Sequence, residues 1–115
     1  MCWRMEVEDL KNKNIALASV GRDNCPHNIA VEINDIRDNK IIITNNFMNT
    51  TIENIKSNPN VSLVFWENDE GIEIDGIVEY FDSGKWFDFV KELPENEEFD
   101  VKGAIVIEIK NIKKI

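Results

Sequence analysis

Residues that bind metal ions are scarce in this sequence of 115 residues, which contains two cysteines and one histidine. A structural zinc site needs four cysteine or histidine ligands, so this inventory excludes one. In Cys25-Pro26-His27 the thiol and the imidazole are two residues apart, and no third residue is placed to orient either of them. We therefore predict free thiols, no metal site and no catalytic residue of the Cys-His or Ser-His-Asp kind.

Long apolar runs and positive charge are also lacking. No apolar segment approaches the roughly 18 residues that are needed to cross a bilayer, and the first residues lack the basic and apolar regions of a signal peptide. Thirteen Lys and Arg against 22 Asp and Glu give a net charge of −9, a field that repels polyanions. The composition predicts one cytoplasmic domain over residues 1–115, with no membrane or nucleic-acid partner.

β-Branched residues, by contrast, are abundant, with 17 isoleucines and nine valines. These residues favour strands, and apolar stretches bounded by turn signals predict six of them. The predicted strands are residues 14–20, 27–33, 40–44, 60–67, 71–81 and 103–109. Close spacing and short turns favour an antiparallel barrel over a parallel sheet that is crossed by helices.

The most concentrated polar, uncharged segment is residues 44–51 (TNNFMNTT), which lead from a predicted buried strand into a helix. Thr50-Thr51-Ile52-Glu53 fits a capping box, in which the Thr50 hydroxyl accepts a hydrogen bond from the Glu53 amide. Free amides and the positive end of the helix dipole favour an anion here, with the two threonine hydroxyls as donors. The alternative is that Thr50 is only a cap and the asparagines only form the loop.

A second helix is predicted from about Ser83 to Pro94, because large apolar residues recur there at helical spacing. These residues are Trp86, Phe89, Val90 and Leu93. Together with Ile42 and Val64 on strands, they are more apolar surface than so small a barrel can enclose. We therefore predict a homodimer with an apolar interface. A third helix is weakly indicated at residues 5–11. Residues 95–102 are predicted to be a polar loop, and Gly76 predicts a bulge or bend in the strand 71–81.

Five segments carry a resemblance to known proteins when they are taken in order. They are residues 17–26 (LASVGRDNCP), 40–45 (KIIITN), 51–54 (TIEN), 58–65 (NPNVSLVF) and 72–79 (IEIDGIVE). In this order and spacing they resemble the pyridoxamine 5'-phosphate oxidase-like family of flavin-binding split barrels. The resemblance extends over residues 14–110 and is closest to the small FMN-binding proteins of that family.

The resemblance implies a six-stranded antiparallel split β-barrel with two or three short helices. It also implies a dimer that holds flavin mononucleotide (FMN) in a groove between the subunits. By position, residues of the first hairpin and of the third strand would line the flavin, and two threonines would bind its phosphate. These cofactor-binding residues are Ala30, Val31, Glu32, Ile43, Thr44, Asn45, Thr50 and Thr51. No general acid or base is required, because the flavin supplies the redox chemistry.

The phosphate position departs from the family pattern. Members usually carry a Lys or Arg where this chain has Thr50 and Thr51, so a charge-assisted contact is lost. A cation from elsewhere in the chain, or from the partner subunit, would have to replace it. The candidates are Arg22, Arg37 and Lys85.

Three functions remain open. The leading one is an FMN-binding redox protein, either a flavin reductase-like enzyme or an electron carrier with an unidentified small-molecule or redox partner. The second is a split-barrel module whose FMN affinity is weak or lost and which binds another anionic or deazaflavin-type cofactor. The third is a structural or interaction domain, with Trp3, Trp66 and Trp86 in the core and interface. We expect no oxidation of pyridoxamine 5'-phosphate, because that pocket depends on basic residues in late segments that are missing here.

Overall fold

A computed structural model describes residues 6–115 of the chain. Cys2, Trp3 and the start of the weakly indicated helix at residues 5–11 lie outside the described residues. The strands are β1 (Asn14–Val20), β2 (Pro26–Glu32), β3 (Asp35–Arg37), β4 (Lys40–Asn45), β5 (Asn60–Glu67), β6 (Glu70–Phe81) and β7 (Gly103–Lys114). The α-helices are α1 (Thr50–Ser57) and α2 (Lys85–Lys91), and short 3-10 turns lie at Val7–Leu10 and Pro94–Asn96.

The strands form one curled antiparallel sheet in the order β2-β1-β5-β6-β7-β4-β3. The curl brings β2 into contact with β4, and the barrel stays open between them. A register shift between Asp75 and Gly76 bends β6, as the sequence predicts. A Cβ at Gly76 would lie 2.7 Å from the Glu108 carbonyl oxygen, so only glycine lets β6 and β7 approach at this bend.

The predicted mostly β, antiparallel class is confirmed, but the sheet has seven strands and not six. The additional strand, β3, is three residues long and has a charged residue at each end, so it shows no apolar alternation. The Arg37 guanidinium donates to the buried Asp35 carboxylate at 2.6 Å. Burial raises the pKa of Asp35, but hydrogen bonds from Arg37 and the Ile36 amide, with nearby positive charge, outweigh it and lower that pKa.

The main core fills the inside of the curl, where every strand except β3 contributes buried isoleucine, leucine or valine. A second, smaller cluster lies on the outer side of β4 and β7, where α2 covers the sheet. It consists of Ile42, Val90 and Ala104, with Phe81, Trp86, Phe89, Leu93 and Val101 packed against them. Most of the apolar stripe on the second helix is therefore used within one chain. This stripe is therefore not the exposed apolar surface on which the dimer prediction was based.

The first helix begins where the sequence indicates, but its cap differs. The N-cap is Asn49, whose carbonyl accepts a hydrogen bond from the Glu53 amide at 3.1 Å, and no side chain caps the helix. The capping box predicted for Thr50 and Glu53 is therefore wrong, because Thr50 is already the first helical residue. The second helix ends at Lys91, and the predicted loop over residues 95–102 contains part of the 3-10 turn Pro94–Asn96.

Within residues 6–115, no helix is long and apolar enough to cross a membrane. The same part of the chain contains no group of three or more His, Cys, Asp or Glu side chains arranged to hold a metal ion. Cys25 is an exposed free thiol.

Candidate functional site

A cavity of about 590 Å³ opens between the edge strand β2, the end of β4, the start of α1 and residues 95–99. This volume is typical of sites that bind small molecules. Because β2 has a strand neighbour only on its β1 side, the backbone groups along its other edge form no ladder. The edge strand and the end of β4 thus form two walls of one pocket, in the split of the barrel.

Six of the eight predicted cofactor-binding residues line this cavity: Ala30, Val31, Glu32, Thr44, Thr50 and Thr51. The other two do not. Ile43 is 1% exposed in the main core, and Asn45 is 3% exposed behind the cavity wall. Both lie next to Thr44 on β4, and adjacent side chains on a strand point to opposite faces. The side chains of Ile43 and Asn45 therefore do not line the cavity, and the roles of all eight residues toward a cofactor, expected mostly through backbone groups for those on the strands, stay predictions.

Asn45 instead holds the loop that forms one cavity wall. Its Nδ2 donates to the Tyr80 hydroxyl at 2.9 Å, and its Oδ1 accepts from the Met48 amide at 2.9 Å. The Tyr80 ring lies against Gly103, where a Cβ would be 2.3 Å from the Tyr80 hydroxyl oxygen. These contacts fix residues 46–49 relative to the sheet.

Three buried polar side chains, Asn34, Thr44 and Asn96, support the opposite wall. The Thr44 hydroxyl donates to Asn34 Oδ1 at 2.7 Å, and Asn96 Nδ2 donates to Thr44 Oγ1 at 2.9 Å and to the Val90 carbonyl at 2.7 Å. Asn34 Nδ2 donates to Glu95 Oε2 at 3.3 Å. This buried triad joins β4 to the turn at residues 94–96.

Several cavity residues are not predicted from the sequence. His27 and Ile29 lie on β2, Asn34 lies beyond its end, and Asn96 and Phe99 come from the segment predicted to be a polar loop. Residues 46–49 also line the cavity, and their signal is present in the sequence, since they belong to the polar segment 44–51.

Asn46 carries an unpaired polar atom in the cavity wall. Its Oδ1 is buried and has no hydrogen-bond partner among the described residues. Leaving such an acceptor without a hydrogen bond costs about 1–3 kcal/mol of folding free energy. The loop therefore carries one acceptor that no described residue satisfies.

Negative charge faces the cavity, and positive charge lies beside it. Glu32 and Glu95 line the cavity, and no Lys or Arg among residues 6–115 does so. A second cavity of about 590 Å³ shares Thr50 with the first and is lined by two cations, Arg22 and Lys56, and two carboxylates, Asp23 and Glu53. The lining therefore changes from acidic to mixed charge across the start of α1.

A glycine brings Arg22 close to α1. A Cβ at Gly21 would lie 2.3 Å from Asn54 Oδ1, and Asn54 Nδ2 also donates to Ser19 Oγ at 3.1 Å. The turn after β1 can therefore pack directly against the helix. The other two candidate cations are used elsewhere: the Arg37 guanidinium lies 4.4 Å from the centre of the Phe89 ring, and the Lys85 ammonium lies 5.4 Å from that of Trp86.

The pyridoxamine 5'-phosphate oxidase family pattern matches residues 6–114. The chain therefore belongs to this family, and the resemblance predicted from the sequence is confirmed. One relative is the uncharacterized protein MJ0282 of Methanocaldococcus jannaschii, which is 30% identical over 112 residues. That comparison covers 92% of this chain and 75% of the relative.

Solved structures share the fold. A variant of HupZ from Group A Streptococcus superimposes with a TM-score of 0.86 at 21% identity, over 97% of this chain and 98% of that one. An FMN-binding protein from Syntrophomonas wolfei gives a TM-score of 0.72 at 20% identity, over 88% and 76% of the two chains.

Two further structures show that the fold is used with different cofactors. An F420 reductase gives a TM-score of 0.72 at 19% identity, over 96% and 98% of the two chains. The heme storage protein HutZ of Vibrio cholerae gives a TM-score of 0.71 at 11% identity, over 89% of this chain and 85% of that one. At these identities the likeness shows the fold alone. The fold includes FMN-binding, F420-dependent and heme-storing proteins.

Proposed function

We propose that this chain is an FMN-binding redox protein, either a flavin reductase-like enzyme or an electron carrier, and that it holds the flavin in the cavity between β2 and β4. The observation that carries the proposal is the junction of two cavities at Thr50. The larger part of an FMN molecule is uncharged and suits the first cavity. Its phosphate suits the second, where Arg22, the exposed Thr50 hydroxyl and the free amides of α1 offer donors.

The described residues fit a phosphorylated flavin at both ends. The free edge of β2 provides hydrogen-bonding groups for the polar edge of the ring. Glu32 and Glu95 in the first cavity have no cation beside them, whereas Arg22 and Lys56 stand beside Asp23 and Glu53 in the second, which favours placing the phosphate at the α1 end. When bound, FMN supplies the electron-transfer chemistry, and the residues of the chain bind and orient it.

A spectrum and one substitution test the proposal. We expect purified protein to absorb blue light through bound flavin. Arg22→Gln should weaken FMN binding about ten- to a hundredfold, because it removes a charge-assisted contact, and should leave riboflavin affinity unchanged. Arg37→Gln is the matched control, since that guanidinium lies against Phe89. An Arg22→Gln protein that binds FMN as the parent does would contradict the proposed phosphate position.

The homodimer is part of the same proposal, on a surface that shares Val64 with the predicted one but includes neither Ile42 nor the second helix. Ala16, Ala30, Val64 and Trp66 lie on the outer face of β2, β1 and β5 and line an apolar cavity of about 420 Å³. Trp66 is 70% exposed there. Ala30 also lines the cofactor cavity, so a second copy on this outer face would lie next to the flavin.

Sedimentation tests this assembly. At micromolar concentration we expect the parent protein to sediment as a dimer and Trp66→Glu to sediment as a monomer, because a carboxylate would be buried in an apolar interface. Ile112→Glu, at another exposed apolar residue of the sheet, should remain a dimer. A parent protein that is a stable monomer of 13.3 kDa would contradict the proposal.

One observation favours the second function, a binding module for another anionic or deazaflavin-type cofactor. The start of α1 carries Thr50 and Thr51 where members of this family usually carry Lys or Arg, so the charge-assisted contact usual for the FMN phosphate is missing there. Parallel titrations with FMN and F420 separate the two functions. Tighter binding of F420 than of FMN would favour the module over the FMN protein.

A further inference from the structure

Two exposed phenylalanines stand together at the cavity. Phe47 is 79% exposed and Phe99 is 47% exposed, and both line the cavity. Their ring centroids are 6.0 Å apart with an interplanar angle of 84°, an edge-to-face contact. We call Phe47 and Phe99 the aromatic pair. They come from segments about fifty positions apart, so the fold has to bring them together.

Separate anchors hold the two segments that carry these exposed rings. Phe47 lies in the loop that Asn45 ties to the Met48 amide and to Tyr80. The Phe99 amide donates to the Asn96 carbonyl at 3.0 Å, and Asn96 belongs to the buried triad. The backbone beneath each ring is thus fixed through a nearly fully buried asparagine, Asn45 or Asn96.

The surroundings of the aromatic pair indicate the class of ligand. Two carboxylates line the cavity with the aromatic pair: Glu95, on the segment that carries Phe99, and Glu32 on β2. Flat apolar rings combined with hydrogen-bond acceptors suit a conjugated ring system that carries N–H donors. They do not suit a phosphate, which needs donors and positive charge.

We propose that the aromatic pair is a stacking wall for a flat conjugated ring: because the two phenylalanine rings stand at 84°, one stacks on the face of the ligand ring and the other meets its edge. The pair then sets the selectivity of the cavity for such rings. This proposal rests on the proposed function and goes further, because it assigns ring recognition to Phe47 and Phe99 and leaves phosphate recognition to Arg22 and Thr50. Ring and phosphate contacts should therefore be separable by mutation.

Two probes test the separation: FMN, and lumiflavin, which is the flavin ring without a ribityl phosphate. Phe47→Ala and Phe99→Ala should each weaken binding of both probes, about five- to a hundredfold for the phenylalanine that stacks and about two- to tenfold for the one at the ring edge. Phe47→Leu, which keeps apolar volume without a π face, should weaken both nearly as much. Phe87→Ala is the matched control, because that ring lies on α2 against Lys91 and outside the cavity.

Each outcome decides something. An equal loss of affinity for FMN and lumiflavin in the Phe47 and Phe99 variants, with the affinities of Phe87→Ala unchanged, supports the stacking wall. Unchanged lumiflavin affinity in Phe47→Ala and Phe99→Ala overturns it and leaves FMN binding by the parent intact. A parent protein that binds lumiflavin as tightly as FMN contradicts the phosphate site but not the stacking wall. A parent that binds neither probe overturns both proposals. Melting curves of the variants show that the fold is retained, as expected for exposed residues.

Discussion

Asn96→Ala is expected to lower the free energy of unfolding by about 2–4 kcal/mol, because it breaks the buried triad. The Asn96 side chain is 4% exposed and donates to both Thr44 and the Val90 carbonyl. Alanine removes both hydrogen bonds, so the Thr44 hydroxyl and the Val90 carbonyl each lose this donor. Urea denaturation of the parent and the variant gives the difference directly.

The same change should also reach the cavity, since Asn96 holds the segment that carries Phe99. Flavin affinity is expected to fall together with stability. Asn111→Ala, at an exposed asparagine of β7, should change the free energy of unfolding by no more than about 0.5 kcal/mol. If Asn96→Ala were no more destabilising than this control, the triad would not support the cavity wall.

Lysine at Thr50 and lysine at Thr51 are expected to have opposite consequences. Thr50 is exposed at the junction of the two cavities, so Thr50→Lys places an ammonium beside the proposed phosphate. It should tighten FMN binding about ten- to a hundredfold with little change in stability. Thr51 is only 2% exposed, so Thr51→Lys buries a charge and should lower the free energy of unfolding by about 2–4 kcal/mol.

Calorimetry of FMN binding and urea denaturation, performed on both variants, check this pair. Thr50→Ala is the control: since Asn49 and not Thr50 is the N-cap, its stability should stay within about 0.5 kcal/mol of the parent. A Thr50→Lys protein with the affinity of the parent would mean that the phosphate binds elsewhere. A Thr51→Lys protein of full stability would mean that this side chain reaches solvent.

Most of the sheet could be predicted from the sequence, because alternation and turn signals are local. The positive φ angles of Asn24, Asn39 and Asn68 lie at hairpin turns that the sequence marks clearly. The strand β3 could not be predicted, since its pairing with β4 depends on a buried Asp35 and its ion pair with Arg37. The cap of α1 could not be read from Thr50 either, because Asn49, one residue earlier, suits that position equally well.

The candidate site could be predicted only in part, for a similar reason. The segment 44–51 is marked by composition, and the resemblance supplied the residues on β2. Asn96 meets Thr44 across 52 positions of sequence, and Phe99 meets Phe47 across a similar distance. Contacts of this kind depend on how the whole sheet curls, and no local pattern encodes them. The resemblance supplied Ile43 and Asn45 by their position on β4, and the structure shows that their side chains are buried.

The two edges of the sheet differ in how well they resist aggregation. At one edge β3 is short and charged, features that discourage pairing with another chain. At the other edge β2 offers seven extended residues, and the one acidic residue on this strand is its last, Glu32. A ligand bound in the cavity beside β2 would therefore also cover the edge that is more prone to pair with another chain. We expect the solubility of the protein, and how long it can be stored, to depend on whether that ligand is bound.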